Sequence, residues 1–175
     1  SVVAACLLHD MGNILKFKLD LFPKFLEPEG LEYWSEVKEE FRQKYGDDEH
    51  EATYQIAQEL GVDKRVLDLV HGFGFGRMKE VYESEDLEQK ICNYSDMRVT
   101  PHGVASLETR LADGEKRFKI NKPEQALNRN EFLELSGYVR LIETQIFEHS
   151  NINSDQVGDK SVADFIQELR GFEIN

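Results

Sequence analysis

Apolar residues in this chain recur at three- and four-residue steps. Over residues 129–149, Phe132, Leu135, Val139, Ile142 and Ile146 fall on one stripe, the spacing that lines one face of a helix with 3.6 residues per turn. No run of strict apolar/polar alternation between hairpin turns competes with it, so the sequence predicts an all-α fold.

Capping residues and breakers divide that pattern into segments. Val2 to Leu8 is almost wholly apolar and is closed by His9, Asp10 and then Gly12, which predicts a buried helix with glycine just past its end. Pro23, Pro28 and Gly30 mark 16–30 as a surface loop, after which a helix is predicted over 31–45. Asp47 and Asp48 can cap a helix that begins near His50 and stops at Gly61, and Asp63 can cap a shorter one ending at His71. The GFGFG stretch, 72–76, reads as a flexible connection. Asp86 and Gln89 have capping-box spacing ahead of a helix that delivers Asp96 and ends before Pro101. Pro101, His102 and Gly103 make a turn, and Ser106 is placed to cap a polar helix running toward Phe118 and Ile120. Two amphipathic helices, over 129–149 and 162–172, finish the chain with the polar linker NINSDQVGDKS between them. A chain of 175 residues predicts one domain, with a core over 1–120 and C-terminal helices over 129–172. The apolar faces of those last helices could cover the core or pair two copies of the chain as a homodimer. Because SVVAACLL begins in mid-pattern, a preceding helix is expected.

Charge narrows the classes of partner. There are 34 acidic and 21 basic side chains, a formal charge of −13, which argues against a broad electrostatic grip on duplex nucleic acid or on an anionic membrane. No run approaches the roughly 18 apolar residues of a membrane span, and the first residues lack the basic region of a signal peptide, so a cytoplasmic protein is expected. Cys6 and Cys92 sit in apolar helical contexts and read as thiols of a reducing compartment.

Five residues offer metal-ligand chemistry near helix ends or on otherwise apolar helices: His9, Asp10, His50, His71 and Asp96. They are separated by about one helix and one turn each, so successive helices of a bundle could aim them at a shared centre. Imidazole together with carboxylate suits Mn, Fe or Zn, and a shared carboxylate would favour two ions. Neighbouring helix positions differ by about 100° and do not normally face one partner. At a helix terminus that restriction relaxes, and Gly12 lets the chain turn away so that His9 and Asp10 can converge.

Other features read more simply. A lone buried histidine is most often a hydrogen-bonded core residue, and His102 and His149 are taken as structural or exposed. GFGFG has no preceding strand and no following G-K-[ST], which argues against a phosphate loop. The sequon Asn93-Tyr94-Ser95 lies in a predicted helix and is set aside. Lys16, Lys18, Arg77 and Lys79 could reach an anionic substrate but are most simply solvated, whereas Arg98, two residues after Asp96, is expected to contact one.

Taken in order, LLHDMGN, EHEATYQIAQELG, VLDLVHGF and ICNYSDMRV resemble the HD superfamily of metal-dependent phosphohydrolases, and the continuation VTPHGVASLETRLADGEKRF is similar to the segment after the last Asp in several bacterial members. The match spans roughly residues 2–118. The resemblance implies an HD-type helical bundle in which His9 and Asp10 are ligands with Asp10 bridging. It further implies that His50 and His71 serve a second ion and that Asp96 closes the first. Two divalent ions are expected, Mn, Fe or Zn, with Mg as a further candidate. The implied reaction is hydrolysis of a phosphate ester or anhydride in a small nucleotide or phosphorylated metabolite, by in-line attack of water activated by the cations. One departure is clear. The family carries a further His on a helix before the His-Asp pair, and no His precedes His9 here. The rival expectations are a non-catalytic HD-like sensor or interaction domain with an incomplete site, and a metal-dependent hydrolase of non-phosphate substrates.

Overall fold

Helix dominates the chain, as the periodicity predicts. The computed structural model describes residues 1–21, 23–100, 102–121 and 129–173, with the side chains of 117–121 excepted. Pro101, expected in a turn, lies outside the described residues, as do the side chains of Phe118 and Ile120, expected on a helix face. Among the described residues no helix is long and apolar enough to cross a membrane.

The chain divides into two compact units, one from Val3 to His71 and one beginning at Gly72. In the first, α1 (Val2–Leu8) is followed by 3₁₀ turns at Asn13–Leu15, Leu19–Leu21 and Pro23–Leu26, then by α2 (Gly30–Tyr45), α3 (Glu49–Glu59) and α4 (Lys64–His71). The predicted caps are in place: Asp48 accepts from the amides of His50 and Glu51, and Asp63 accepts from that of Val66 at 2.9 Å. Helix α3 packs against α2, α4 and the first 3₁₀ turn, burying Ala52, Ile56 and Ala57. Small residues at 52 and 57 let neighbouring backbones approach closely, whereas α2 has no buried residue.

The second unit contains α5 (Met78–Glu83), α6 (Leu87–Asp96), a hairpin of β1 (Val99–Thr100) and β2 (Gly103–Val104), α7 (Leu107–Asn121), α8 (Arg129–Glu148) and α9 (Asp159–Leu169). The strands are antiparallel, with Val99 opposite Val104 and Thr100 opposite Gly103. Met78, Val81, Tyr94, Met97, Leu107, Leu111, Val139 and Ile142 form one buried cluster. Helix α8, whose apolar face on sequence grounds could cover the core or pair two copies of the chain, places Val139 and Ile142 in this cluster and packs on α5, α6 and α7. Helix α5 has no counterpart in the sequence reading. At six residues it is too short to show a period of its own, and it is stabilised by burying Met78 and Val81 rather than by intrinsic propensity.

Two polar residues organise the irregular parts of this unit. Asn93, 1% exposed, donates to the carbonyl of Gly72 and accepts from the amide of Gly74, both at 3.1 Å. The glycine-rich stretch, expected to be flexible, is thus pinned to α6. Arg98 donates to the carbonyls of Ala105 at 2.6 Å, Val157 at 2.7 Å and Ser154 at 3.2 Å, and Asp159 accepts from the amide of Val104 at 2.7 Å. These bonds tie the hairpin to the linker and to the start of α9, which begins three residues earlier than the apolar pattern suggests.

Candidate metal centre

The His-Asp pair lies where α1 ends. His9 is the C-cap of the helix, its amide bonded to the carbonyl of Ala5, and the turn continues through bonds from Met11 to Leu8 and from Asn13 to Asp10, each 3.0 Å. Gly12 follows with φ −84° and ψ −3°, an ordinary right-handed conformation. Its backbone conformation alone therefore does not require glycine at this position. A Cβ at position 12 would overlap the carbonyl oxygen of Glu49 and lie 2.9 Å from the amide nitrogen of Thr53. The requirement is close approach to the first turn of α3.

The imidazole of His9 is oriented by its own helix. Nδ1 lies 2.7 Å from the carbonyl of Cys6, three residues earlier. A carbonyl only accepts, so Nδ1 carries the proton, and in the neutral ring the lone pair is on Nε2. That nitrogen is 3.4 Å from Asp10 Oδ2. Two ligand atoms about 2.1 Å from one ion lie about 3.0 Å apart in octahedral and about 3.4 Å apart in tetrahedral coordination. Adjacent residues thus present a nitrogen and an oxygen at chelating separation. The His9 side chain is 17% exposed and that of Asp10 58%, so the pair opens toward solvent on its carboxylate side. The Cys6 carbonyl thereby fixes the tautomer and the ring plane. Sequence inspection overlooks it because a backbone oxygen has no residue-type signature, although the three-residue spacing on a helix permits the bond.

The remaining expected ligands occupy different settings. His50 is exposed in the first turn of α3, its amide donating to Asp48. His71 is exposed at the end of α4, with its ring edge-on to Tyr54 at a centroid separation of 5.8 Å. Among the described residues neither belongs to a group of three or more ligand atoms within 4.8 Å of one another. Asp96 is the last residue of α6, in the second unit.

Arg98, expected to meet substrate phosphate, is 5% exposed and directed inward. Besides the three carbonyls it donates to the hydroxyl of Tyr94, which in turn donates to Glu143 Oε2 at 2.5 Å. Burial, reinforced by the Glu143 carboxylate, pushes the Tyr94 hydroxyl well above the usual tyrosine range, so Tyr94 stays a neutral donor at physiological pH. Of the other cations, Lys16 is 3.7 Å from Glu49 and Arg77 forms a pair with Glu80 at 2.8 Å. Cys92 is buried and Cys6 half-buried, and neither is in a disulfide.

Compared with models of protein families, with curated proteins and with solved structures, the chain matches none.

Proposed function

We propose that the protein is a metal-dependent phosphohydrolase acting on a small nucleotide or another small phosphorylated metabolite. The observation that carries this reading is the pairing at the end of α1: a histidine whose Nδ1 is committed to the Cys6 carbonyl holds Nε2 beside the neighbouring carboxylate. That is donor chemistry suited to a first-row divalent ion. His9 and Asp10 would hold the ion. Through the resemblance of its motifs alone, the reading adds Asp96 to the same ion and His50 and His71 to a second. Bound there, divalent cations supply Lewis-acid polarisation of phosphoryl oxygens and lower the pKa of water. The chain's own part is to fix the imidazole tautomer, to leave the Asp10 carboxylate open to solvent, and to hold both against α3 through the Gly12 contact.

The test is elemental analysis of the full chain, purified without a His tag or chelator, followed by phosphate release from a panel of nucleotides. About two Mn, Fe or Zn ions per chain are expected, on the precedent of two-metal sites, together with hydrolysis that chelation abolishes. His9→Ala and Asp10→Asn should lose both metal and turnover. Failure to hold metal after reconstitution with Mn, Fe and Zn overturns the reading. A second reading, a non-catalytic domain on the same scaffold, draws on the exposed placement of His50 and His71, which among the described residues join no group of three or more ligand atoms. Metal binding with no turnover on any phosphate substrate would favour it.

A further inference from the structure

Helix α8 buries Phe132, Ser136, Val139 and Ile142 on one side. Its other side carries a second pattern, which the packing of the chain itself leaves unused. Leu133, Glu134, Arg140 and Leu141 are exposed there, arranged around Gly137. A shallow groove of about 510 Å³ runs along this face, with Glu134, Gly137, Arg140 and Leu141 in its lining. An exposed leucine by itself means little. Leu133 and Leu141, however, are 44% and 45% exposed on one stripe, a turn before and a turn after the glycine. Glycine inside a helix is unfavourable relative to alanine. Nothing within the chain calls for it at position 137, where a Cβ would meet no atom within 4 Å. On an exposed face it instead lets a second helix axis approach to the short end of the usual packing range, about 8 Å.

The residues around Gly137 are symmetric in size and opposite in charge. Leu133 and Leu141 stand four positions before and after it, and Glu134 and Arg140 three positions before and after. When two copies of such a helix cross antiparallel on a two-fold axis at the glycine, each residue comes level with the one equally far on the other side of the glycine in the second copy. Leucine then meets leucine, and Glu134 of each copy comes level with Arg140 of the other. A parallel pairing would set glutamate against glutamate and arginine against arginine, so charge selects the antiparallel arrangement. Arg140 binds Glu108 of its own chain through Nε and Nη2, and the remaining N–H groups of its guanidinium can take a second carboxylate.

We infer that this face of α8 is a homodimer interface, in which the α8 helices of two copies cross antiparallel at Gly137 with leucines in the seam and Glu134–Arg140 pairs at its rim. A contact confined to one helix face lies at the small end of specific interfaces, so a micromolar monomer–dimer equilibrium is expected in place of a permanent assembly. The interface owes nothing to the His-Asp pair, and the two readings stand or fall separately.

Sedimentation equilibrium of the full chain over a series of concentrations tests the inference. The parent should pass from monomer to dimer as concentration rises. Gly137→Leu should abolish the dimer by holding the helices apart, while the melting temperature of the dilute monomer stays equal to or above that of the parent. Glu134→Arg and Arg140→Glu should each weaken self-association by about tenfold or more, since a two-fold axis makes every like-charge contact twice. An equimolar mixture of these two variants should associate as tightly as the parent, because each supplies the charge that the other needs. A parent chain that stays monomeric into the millimolar range overturns the inference and leaves the face to a different partner or to solvent. So does a dimer that survives Gly137→Leu, which would place the contact elsewhere, and so does a mixture of the charge variants that associates no better than either alone.

Discussion

The amide of Gly12 donates to the hydroxyl of Thr53 at 2.9 Å, and that hydroxyl donates in turn to the carbonyl of Glu49 at 2.8 Å. The relay fastens the turn after the His-Asp pair to the first turn of α3, with no space for a side chain at position 12. Gly12→Ala should therefore destabilise the protein by about 1–3 kcal/mol, the range of an overpacked contact, and, if the proposed metal binding is observed, should weaken it by displacing His9 and Asp10. Gly137, in the interior of α8, has open space for 4 Å around the place a Cβ would take, so Gly137→Ala should stabilise by about 0.5–1 kcal/mol. Urea denaturation of the two variants checks both signs.

Asn93 fills two hydrogen-bonding roles with one amide group. Asn93→Leu is close in size but leaves the buried Gly72 carbonyl and the half-buried Gly74 amide without these partners, at a cost of about 1–3 kcal/mol for the carbonyl and less for the amide. Hydrogen exchange should report the loss at the Gly74 amide, slow in the parent and fast in the variant. Slow exchange in both would show that the glycine-rich stretch is held by something other than Asn93.

Arg98 is predicted to support the fold and not to touch substrate. Its burial and its carbonyl partners mean that Arg98→Met should lower stability by about 2–4 kcal/mol. Arg98→Lys should recover little of it, since an ammonium lacks the planar fork that spans several acceptors. If the proposed activity is observed, turnover per folded molecule should be unchanged in Arg98→Lys. A selective rise in KM with stability intact would restore the phosphate-contacting role.

Glu108 and Arg140 join α7 to α8 by two bonds of 2.6 and 2.8 Å. The guanidinium holds the Glu108 carboxyl below its usual range, so the pair's stabilisation is present above the ordinary glutamate pKa and is lost as pH falls through the depressed value. Both side chains are largely exposed, which limits the effect to less than about 1 kcal/mol and makes it salt-sensitive. Comparing parent and Glu108→Gln by denaturation at neutral and strongly acidic pH should show a small gap at neutrality that closes in acid and in high salt.

Much of the helical layout is legible in the sequence because it rests on local chemistry. Asp48, Asp63 and Asp86 cap the helices that their positions suggest, since a side-chain oxygen within three residues of a free amide is a short-range relationship. Features decided at long range escape such a reading. The reason for Gly12 lies about forty residues away in α3, the short α5 exists through its burial, and the placement of α8 at the centre of a core depends on which helices receive its stripe. The proposed metal site divides along the same line. The His9–Asp10 adjacency is visible in sequence, whereas the exposure of His50 and His71 is set by how α3 and α4 are rotated. Arg98 misleads for a related reason: an arginine near a ligand motif looks like an anion contact until the carbonyls 56 and 59 residues away are known.

Those carbonyls have a further implication for sequence variation. Arg98 recognises positions 105, 154 and 157 through main-chain oxygens alone, and every amino acid supplies one. The side chains at these three positions can therefore drift without loosening the attachment. An insertion or deletion in the linker between α8 and α9 cannot be absorbed so easily, because it would move the Ser154 and Val157 oxygens themselves. The linker is thus constrained in length and path while remaining permissive in composition.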